Sequence, residues 1–403
     1  MMNKDHLKES VTNEVDRLLS RLVVISDSIA DNPELGSEEY KSSKLLMDEL
    51  EKHGFEVERG ILGMDTAFRA VYEGKAQGPR FAFITEYDAL PGIGHACGHN
   101  IIGTAGVGAG IAVSKLMKDI SGEVIVLGAP AEEGHGPSAG SKKRMVEAGV
   151  FDDIDIAVQL HPTPGKSEVS YSVLATAGTT ITFLGKPAHA AASPHEGLNA
   201  LNAAVLTFMA VQANRQQLRR DANPVIHGII TEGGIVSNII PDRAVLKYGV
   251  RSSDDDYVPE LIKIVENSAK GAAIATGCEL KTEKRAGMRS NLRNKPLESL
   301  LYDILRELGE DVEELAISAA RIPQASTDFA EVTHALPALQ IKIHIAPEGI
   351  AWHTPEFAEA AKSEAGHKGL EIGAKALAIT AVEIFSDPDL LNKIKEAHRN
   401  VGK

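Results

Sequence analysis

Cysteine is scarce in this chain of 403 residues: Cys97 and Cys278 are its only two, too few for the disulfide framework that staples small secreted domains. Positive charge is in deficit as well. With 42 Lys and Arg against 56 Asp and Glu the formal net charge is -14, and no basic stripe is present to meet a nucleic-acid backbone, so no such partner is expected. No apolar run approaches the ~18 residues that a membrane span requires. Nor do residues 1–18 carry the apolar core of a secretion signal, which makes the cytoplasm the expected compartment. Aromatic residues make up 4% of the chain, with Trp352 the single tryptophan. No repeat, low-complexity tract or long linker is visible. What remains is an ordinary globular composition, 43% hydrophobic and 24% charged, over a length that favours two or three domains.

Periodicity gives the order of elements. Helical spacing over 8–30 and 37–53 gives way to short β-rich runs alternating with helical ones: strand 79–85, helix 101–118, strand 123–129, a helix up to 149, strand 154–160. That order reads as βαβ units around a largely parallel sheet. After a break near Thr176-Ala-Gly178 the pattern becomes strand 179–185, helix 197–217, strands 225–232 and 244–251, helix 257–275, strand 279–284. This is a ferredoxin-like βαββαβ insertion. The expected organisation is α/β, with one domain made of 1–176 and 287–403 and an inserted domain of 177–286.

The densest chemistry lies in Glu86-Tyr-Asp-Ala-Leu-Pro-Gly-Ile-Gly-His-Ala-Cys-Gly-His-Asn100, where an acid pair, a thiol and two imidazoles are punctuated by one proline and three glycines. A glycine-rich loop turns tightly enough for Cys97 and His99 to converge on one ion. It follows a predicted strand, at the end where α/β sheets build their sites. The strand 123–129 runs into Pro130-Ala-Glu-Glu-Gly134. Adjacent side chains on extended backbone point to opposite sides, so one glutamate can ligate while the other faces a bound water. Strand 154–160 delivers His161, and Trp352-His353-Thr-Pro-Glu-Phe357 sets a further histidine in a loop, with Trp352 either a substrate wall or a packing residue. Alone, each has a plainer reading as a solvated loop side chain; their joint placement at strand ends points to a metal site. Cys97, His99, one glutamate of the pair, His161 and His353 exceed the protein ligands of one catalytic zinc. Two ions sharing a water would use them all, which makes metal-assisted hydrolysis the expected reaction, with the other glutamate as general base. Imidazole, thiolate and carboxylate together suit zinc, with manganese or cobalt as alternatives.

These segments resemble the dinuclear metallopeptidase family of aminoacylase, carboxypeptidase G, succinyl-diaminopimelate desuccinylase and the indole-acetyl-amino-acid hydrolases. The resemblance runs from Asn32-Pro-Glu-Leu-Gly-Ser-Glu-Glu39 to His353-Thr-Pro-Glu-Phe357. Within the family, Cys97-Gly-His99 is similar to the amidohydrolase branch that includes p-aminobenzoyl-glutamate hydrolase, where a Cys-x-His loop replaces an aspartate ligand. The resemblance implies a zinc-peptidase-like mixed sheet flanked by helices, with the insertion serving as dimerisation and lid domain. It implies two divalent ions per subunit on Cys97, His99, Glu133, His161 and His353, and Glu132 as the base. The branch usually reads Cys-Gly-His-Asp, where this chain has Asn100. Other branches carry a His-x-Asp ligand motif where this chain has Glu86-Tyr-Asp88, which places Asp88 behind the ligands and leaves open whether Glu86 is a ligand. The run as a whole looks nearest to dipeptidases for β-alanyl or other aminoacyl peptides with a basic carboxyl-terminal residue.

The insertion contributes His189, Asn238 and Arg251. An imidazole can donate to an oxyanion, an amide can orient a carboxylate and a guanidinium can bind one bidentately. Their order resembles a trio of the same family, which implies a homodimer in which His189 reaches into the partner's site while Asn238 and Arg251 hold the substrate's free carboxylate. His195, in Ser-Pro-His-Glu-Gly197, competes for the histidine role. The expected activity is hydrolysis of the amide bond of small dipeptides or N-acyl amino acids. A p-aminobenzoyl-glutamate-type or other N-acyl-amino-acid deacylase is the alternative within that chemistry. An inactive structural protein is the alternative outside it, and it has no need of Glu132 beside five intact ligands.

Overall fold

A computed structural model describes residues 4–285 and 287–401; the expected domain limits at Met1, Ala286 and Lys403 lie outside the described residues. The chain divides into two compact units. The first comprises Met1–Tyr171, Leu292–Arg321 and Glu331–Lys403, the second Ser172–Asn291 and Ile322–Ala330. The second unit thus begins at Ser172 rather than Ala177 and takes in 322–330, a segment that no periodicity marks.

In the first unit, α1 (Lys4–Asp31) buries Leu7, Val11, Val15, Leu18, Leu22, Ile25 and Ile29 at helical spacing. After α2 (Tyr40–Lys52) come β1 (Glu56–Arg59), β2 (Phe68–Glu73), β3 (Arg80–Thr85), α3 (His99–Ser114), β4 (Glu123–Gly128), α4 (Ser141–Glu147) and β5 (Ile156–Pro164). The sheet order is β1-β2-β4-β3-β5 followed by the strand Ala338–Ala346. β4, β3, β5 and that last strand are parallel, while β1 and β2 run antiparallel at the other edge. The sheet is therefore mixed. The parallel strands, buried on both faces, read as continuous apolar runs, whereas β1 exposes three of its four residues and carries no such signal. Helix α3 is buried on every side, which accounts for a sequence of glycine, alanine and aliphatic residues with no polar face. Two expectations are corrected. A loop rather than a helix follows β4, with α4 covering only 141–147, and β5 runs past Leu160, so that His161 lies within the strand.

In the second unit, β6 (Ala175–Leu184), α5 (Ala200–Asn214), β7 (Val225–Glu232), β8 (Arg243–Ser252), α6 (Val258–Thr276) and β9 (Glu279–Arg285) follow the βαββαβ order. The sheet is wholly antiparallel in the order β7-β8-β6-β9, with β7 and β9 as edges. Its core gathers Phe183, Leu246 and Val250 from the sheet with Val211, Leu261 and Val265 from the helices. No described helix in either unit is long and apolar enough to cross a membrane.

Candidate active site

Past the end of β3 the chain enters Glu86, Tyr87 and Asp88, all buried, and then the loop to α3. Gly98 has φ 81, and a Cβ on it would lie 2.6 Å from Pro162 Cγ. Only glycine meets both demands, so the reversal between Cys97 and His99 is written into the sequence.

His99 Nδ1–H donates to Asp88 Oδ1 at 2.8 Å, and His161 Nδ1–H donates to the Pro162 carbonyl at 2.7 Å. Fixing Nδ1 as the donor leaves Nε2 of each neutral ring as a lone pair. His161 Nε2 stands 3.4 Å from Cys97 Sγ. His99 Nε2 is 3.9 Å from Glu133 Oε1 and 4.0 Å from Glu132 Oε2, and Glu133 Oε1 is 3.4 Å from His353 Nε2. The backbone N–H of Glu133 donates to Asp88 Oδ2 at 3.0 Å, so Asp88 fixes one candidate ligand by its ring and another by its main chain. Three donor groups result among the described residues: Cys97 with His99 and His161, Cys97 with Glu133 and His353, and Glu86 with His99 and Glu132, the atoms of each within 4.8 Å of one another. All five expected ligands fall in the two groups that share Cys97.

Burial opposes charge throughout. It pushes the Cys97 thiol up and, with the neighbouring His99, lowers His161 to about 4. At His99 burial also pulls downward, but Asp88 and then Cys97 outweigh it and hold the ring well above its usual range. Burial would raise Glu133, yet the contact with His353 and the charge of His99 keep it below the usual carboxylate range. His99 Nε2 and Glu133 Oε1 are buried without a hydrogen-bond partner, a costly arrangement that asks for an explanation. Divalent cations would satisfy both atoms and favour the thiolate that burial alone disfavours. The donor set of nitrogen, sulfur and oxygen fits them.

Glu86 sits deeper. Its Oε1 accepts from Lys142 Nζ at 2.7 Å and from Gln159 Nε2 at 2.8 Å, while its Oε2 has no hydrogen-bond partner and lies 3.6 Å from His99 Nε2. The chain of contacts continues through Gln340, which donates to Gln159 at 2.7 Å and accepts from Tyr171 at 2.6 Å. Sequence reasoning misses Lys142, Gln159, Gln340 and Tyr171, because a long-range partner for a buried carboxylate leaves no local spacing to read. Asn100 donates to Ser26 Oγ at 2.9 Å and to the Ala361 carbonyl at 3.2 Å. A carboxylate cannot donate to a carbonyl, so the departure at this position serves packing and lies apart from the donor groups.

Trp352 is half-buried and makes packing contacts. Its indole N–H donates at 3.0 Å to the Pro162 carbonyl that also receives His161, and its ring lies 6.4 Å from that of Phe357. The next residue, His353, adopts φ 63, and its N–H donates to the Ala96 carbonyl at 2.9 Å. The loop carrying one histidine is thereby tied to the loop carrying Cys97 and His99.

In the second unit, His189 Nδ1 accepts from the N–H groups of Ala191 and Ala192, both at 3.2 Å, leaving Nε2–H as a donor on an exposed ring. The Ala190 N–H donates to the Asn238 carbonyl at 2.9 Å, which brings the segments of His189 and Asn238 side by side. Arg251 lies in β8 and donates to Ser326 Oγ at 3.1 Å. His195 occupies a separate exposed turn, Pro194–Glu196.

Known proteins match this chain over nearly its whole length. The description Peptidase family M20/M25/M40 applies to residues 82–379. Xaa-Arg dipeptidase of Mus musculus is 35% identical, covering 97% of this chain and 91% of that protein. A p-aminobenzoyl-glutamate hydrolase chain of Escherichia coli K12 is 30% identical, covering 96% and 93%. Among solved structures, a dinuclear metal-binding M20 peptidase of Bacillus subtilis shares the fold with a TM-score of 0.71 at 20% identity, over 92% of this chain and 99% of that one.

Proposed function

The chain belongs to peptidase family M20/M25/M40 and is a hydrolase of peptide or linear amide bonds; from that premise we propose that it is a dipeptidase whose preferred substrates end in a basic residue with a free carboxylate. The observation that carries the hydrolytic reading is the pair of donor groups sharing Cys97 with the Glu132 carboxylate beside them. The substrate class is supported by the relatives named Xaa-Arg dipeptidase, and deacylation of N-acyl amino acids by the p-aminobenzoyl-glutamate hydrolase relative.

Cys97, His99, Glu133, His161 and His353 would hold two divalent ions, zinc by the donor chemistry or else manganese or cobalt. When bound, such ions polarise an amide carbonyl and acidify a water. Glu132 accepts the proton of the attacking water and returns it to the leaving amine. His189, through Nε2–H, donates to the developing oxyanion in the partner's site, with His195 as the competing donor. Asn238 and Arg251 hold the substrate carboxylate, which restricts the enzyme to short substrates. A reducing cytoplasm suits Cys97 as a ligand thiol.

A homodimer through the second unit is part of the same proposal. It is supported by edge strand β7, where Ile229 is 61% exposed, and by the outer face of α5, where Met209 is 63% exposed. Multi-angle light scattering is expected to give twice the mass of 43.0 kDa, and a monomer at micromolar concentration would remove this element.

The test of activity is mass-spectrometric hydrolysis of a mixed panel of dipeptides and N-acyl amino acids by metal-reconstituted protein, with Glu132→Gln as the blank. Cleavage is expected for free-amine dipeptides with carboxyl-terminal Arg or Lys. In Arg251→Ala, KM for these rises about 10- to 100-fold with a smaller change in kcat, the loss of a charge-assisted contact. Cleavage confined to acylated amino acids would make the enzyme a deacylase, and inactivity on every substrate would refute both forms.

A further inference from the structure

We infer that Glu39 is a positioning residue for Glu132, acting through the left-handed turn at Ala131; this rests on the reading of Glu132 as general base. Glu39 stands at the N-cap of α2 but makes no side-chain cap hydrogen bond. It is fully buried, and its carboxylate is spent on other segments. Oε1 accepts from the Ala131 N–H at 2.8 Å and Oε2 from Thr66 Oγ1–H at 2.8 Å.

Ala131 has φ 58, a conformation that alanine seldom adopts and that persists only where its surroundings impose it. Two residues on, the Glu133 N–H is held by Asp88 Oδ2 at 3.0 Å. The amides on either side of Glu132 are thus each tied to a buried carboxylate. Asp88 already serves His99 and Glu133; Glu39 serves the Glu132 turn.

The residues before Glu39 complete the seat. A Cβ on Gly36 would lie 2.9 Å from Ala131 Cβ and 2.8 Å from the His135 carbonyl, so glycine is what lets the two segments touch. Ser37 Oγ accepts from the Ser138 N–H at 2.8 Å and donates to the His135 carbonyl at 3.2 Å. The segment Pro33-Glu-Leu-Gly-Ser-Glu-Glu39, which the hydrolytic reading leaves unused, is a mould for the loop that presents Glu132. Rotation at Ala131 would swing that carboxylate away from the reacting atoms while leaving the five donors in place.

The experiment compares kcat, KM and bound metal in full-length, metal-reconstituted Glu39→Ala, Glu39→Gln, the double variant Glu39→Ala/Ala131→Gly, and Glu132→Gln. In Glu39→Ala, kcat falls about 100-fold, the scale of a small misplacement of a reacting group, with KM within about threefold and metal content unchanged. Glu39→Gln loses less, since its amide oxygen still accepts from Ala131. Glycine at 131 enters the left-handed turn without strain, so the double variant recovers about tenfold of the lost kcat. Gly36→Ala presses on Ala131 with Glu39 intact and gives the same pattern, a second route should Glu39→Ala fail to fold. Wild-type kcat in a folded Glu39→Ala, metal lost in step with kcat, or no recovery in the double variant would each overturn the inference. Full activity in Glu132→Gln would instead remove the base assignment itself, whereas an inactive Glu132→Gln beside an active Glu39→Ala removes only the positioning role.

Discussion

Glu132→Gln lowers kcat about 1,000-fold while KM and bound metal hold, because the amide keeps the shape of the side chain but can neither accept nor return a proton. The adjacent glutamates are told apart by their surroundings. Glu133 Oε1 lies 3.4 Å from His353 Nε2 within a donor group that includes Cys97, and its main chain is anchored by Asp88. Glu132 sits on the His99 side, with Oε2 at 4.0 Å from Nε2, in a group with His99 and Glu86 that lacks Cys97. Steady-state kinetics paired with elemental analysis checks the expectation. A variant retaining a tenth or more of wild-type kcat would transfer the role elsewhere, and Glu86, with Oε2 unpartnered and facing His99, would be the next carboxylate to test.

Cys97→Ala is expected to strip the site. Among the described residues this side chain belongs to two of the three donor groups, the two that hold all five expected ligands, so its removal opens both at once. Metal affinity falls by more than the roughly 10- to 100-fold typical for loss of a partner behind the ligands, and activity goes with it. Cys97→Asp recovers a large part of both, since a carboxylate would also ligate a divalent cation there. Elemental analysis after dialysis reads the loss, and two ions still bound to Cys97→Ala would show that the thiol is not a ligand.

The donors are legible in the sequence because chemistry and local geometry coincide in them. Cys97 and His99 flank a glycine that nothing else could replace, Glu132 and Glu133 follow an apolar strand, and His161 continues another. The βαββαβ order of the second unit is legible for a related reason, since short β-rich runs and long helical runs follow one another with turn residues between them. What stays hidden depends on partners far along the chain. Lys142 lies fully buried against Glu86 at the start of α4, and no local spacing marks that partnership. Glu39 looks like a helix cap, and only the fold shows its carboxylate turned to Ala131. β1 and the segment 322–330 carry too little apolar surface to show as elements, whereas the loop after β4 is written in Pro130, Gly134, Gly136, Pro137 and Gly140, which break any helix before α4.

The interrupted first unit also carries a cost in the order of synthesis. β5 is flanked in its sheet by β3 and by the strand Ala338–Ala346, and the second of these emerges from the ribosome only after the whole of the second unit has been made. Until then β5, an apolar strand buried along most of its length in the finished fold, presents an open hydrogen-bonding edge to other nascent chains. The second unit, nearly continuous in sequence, can close its own sheet first. Non-local pairing of this kind is slow, so the first unit's vulnerability to aggregation is concentrated in the interval before residue 338 appears.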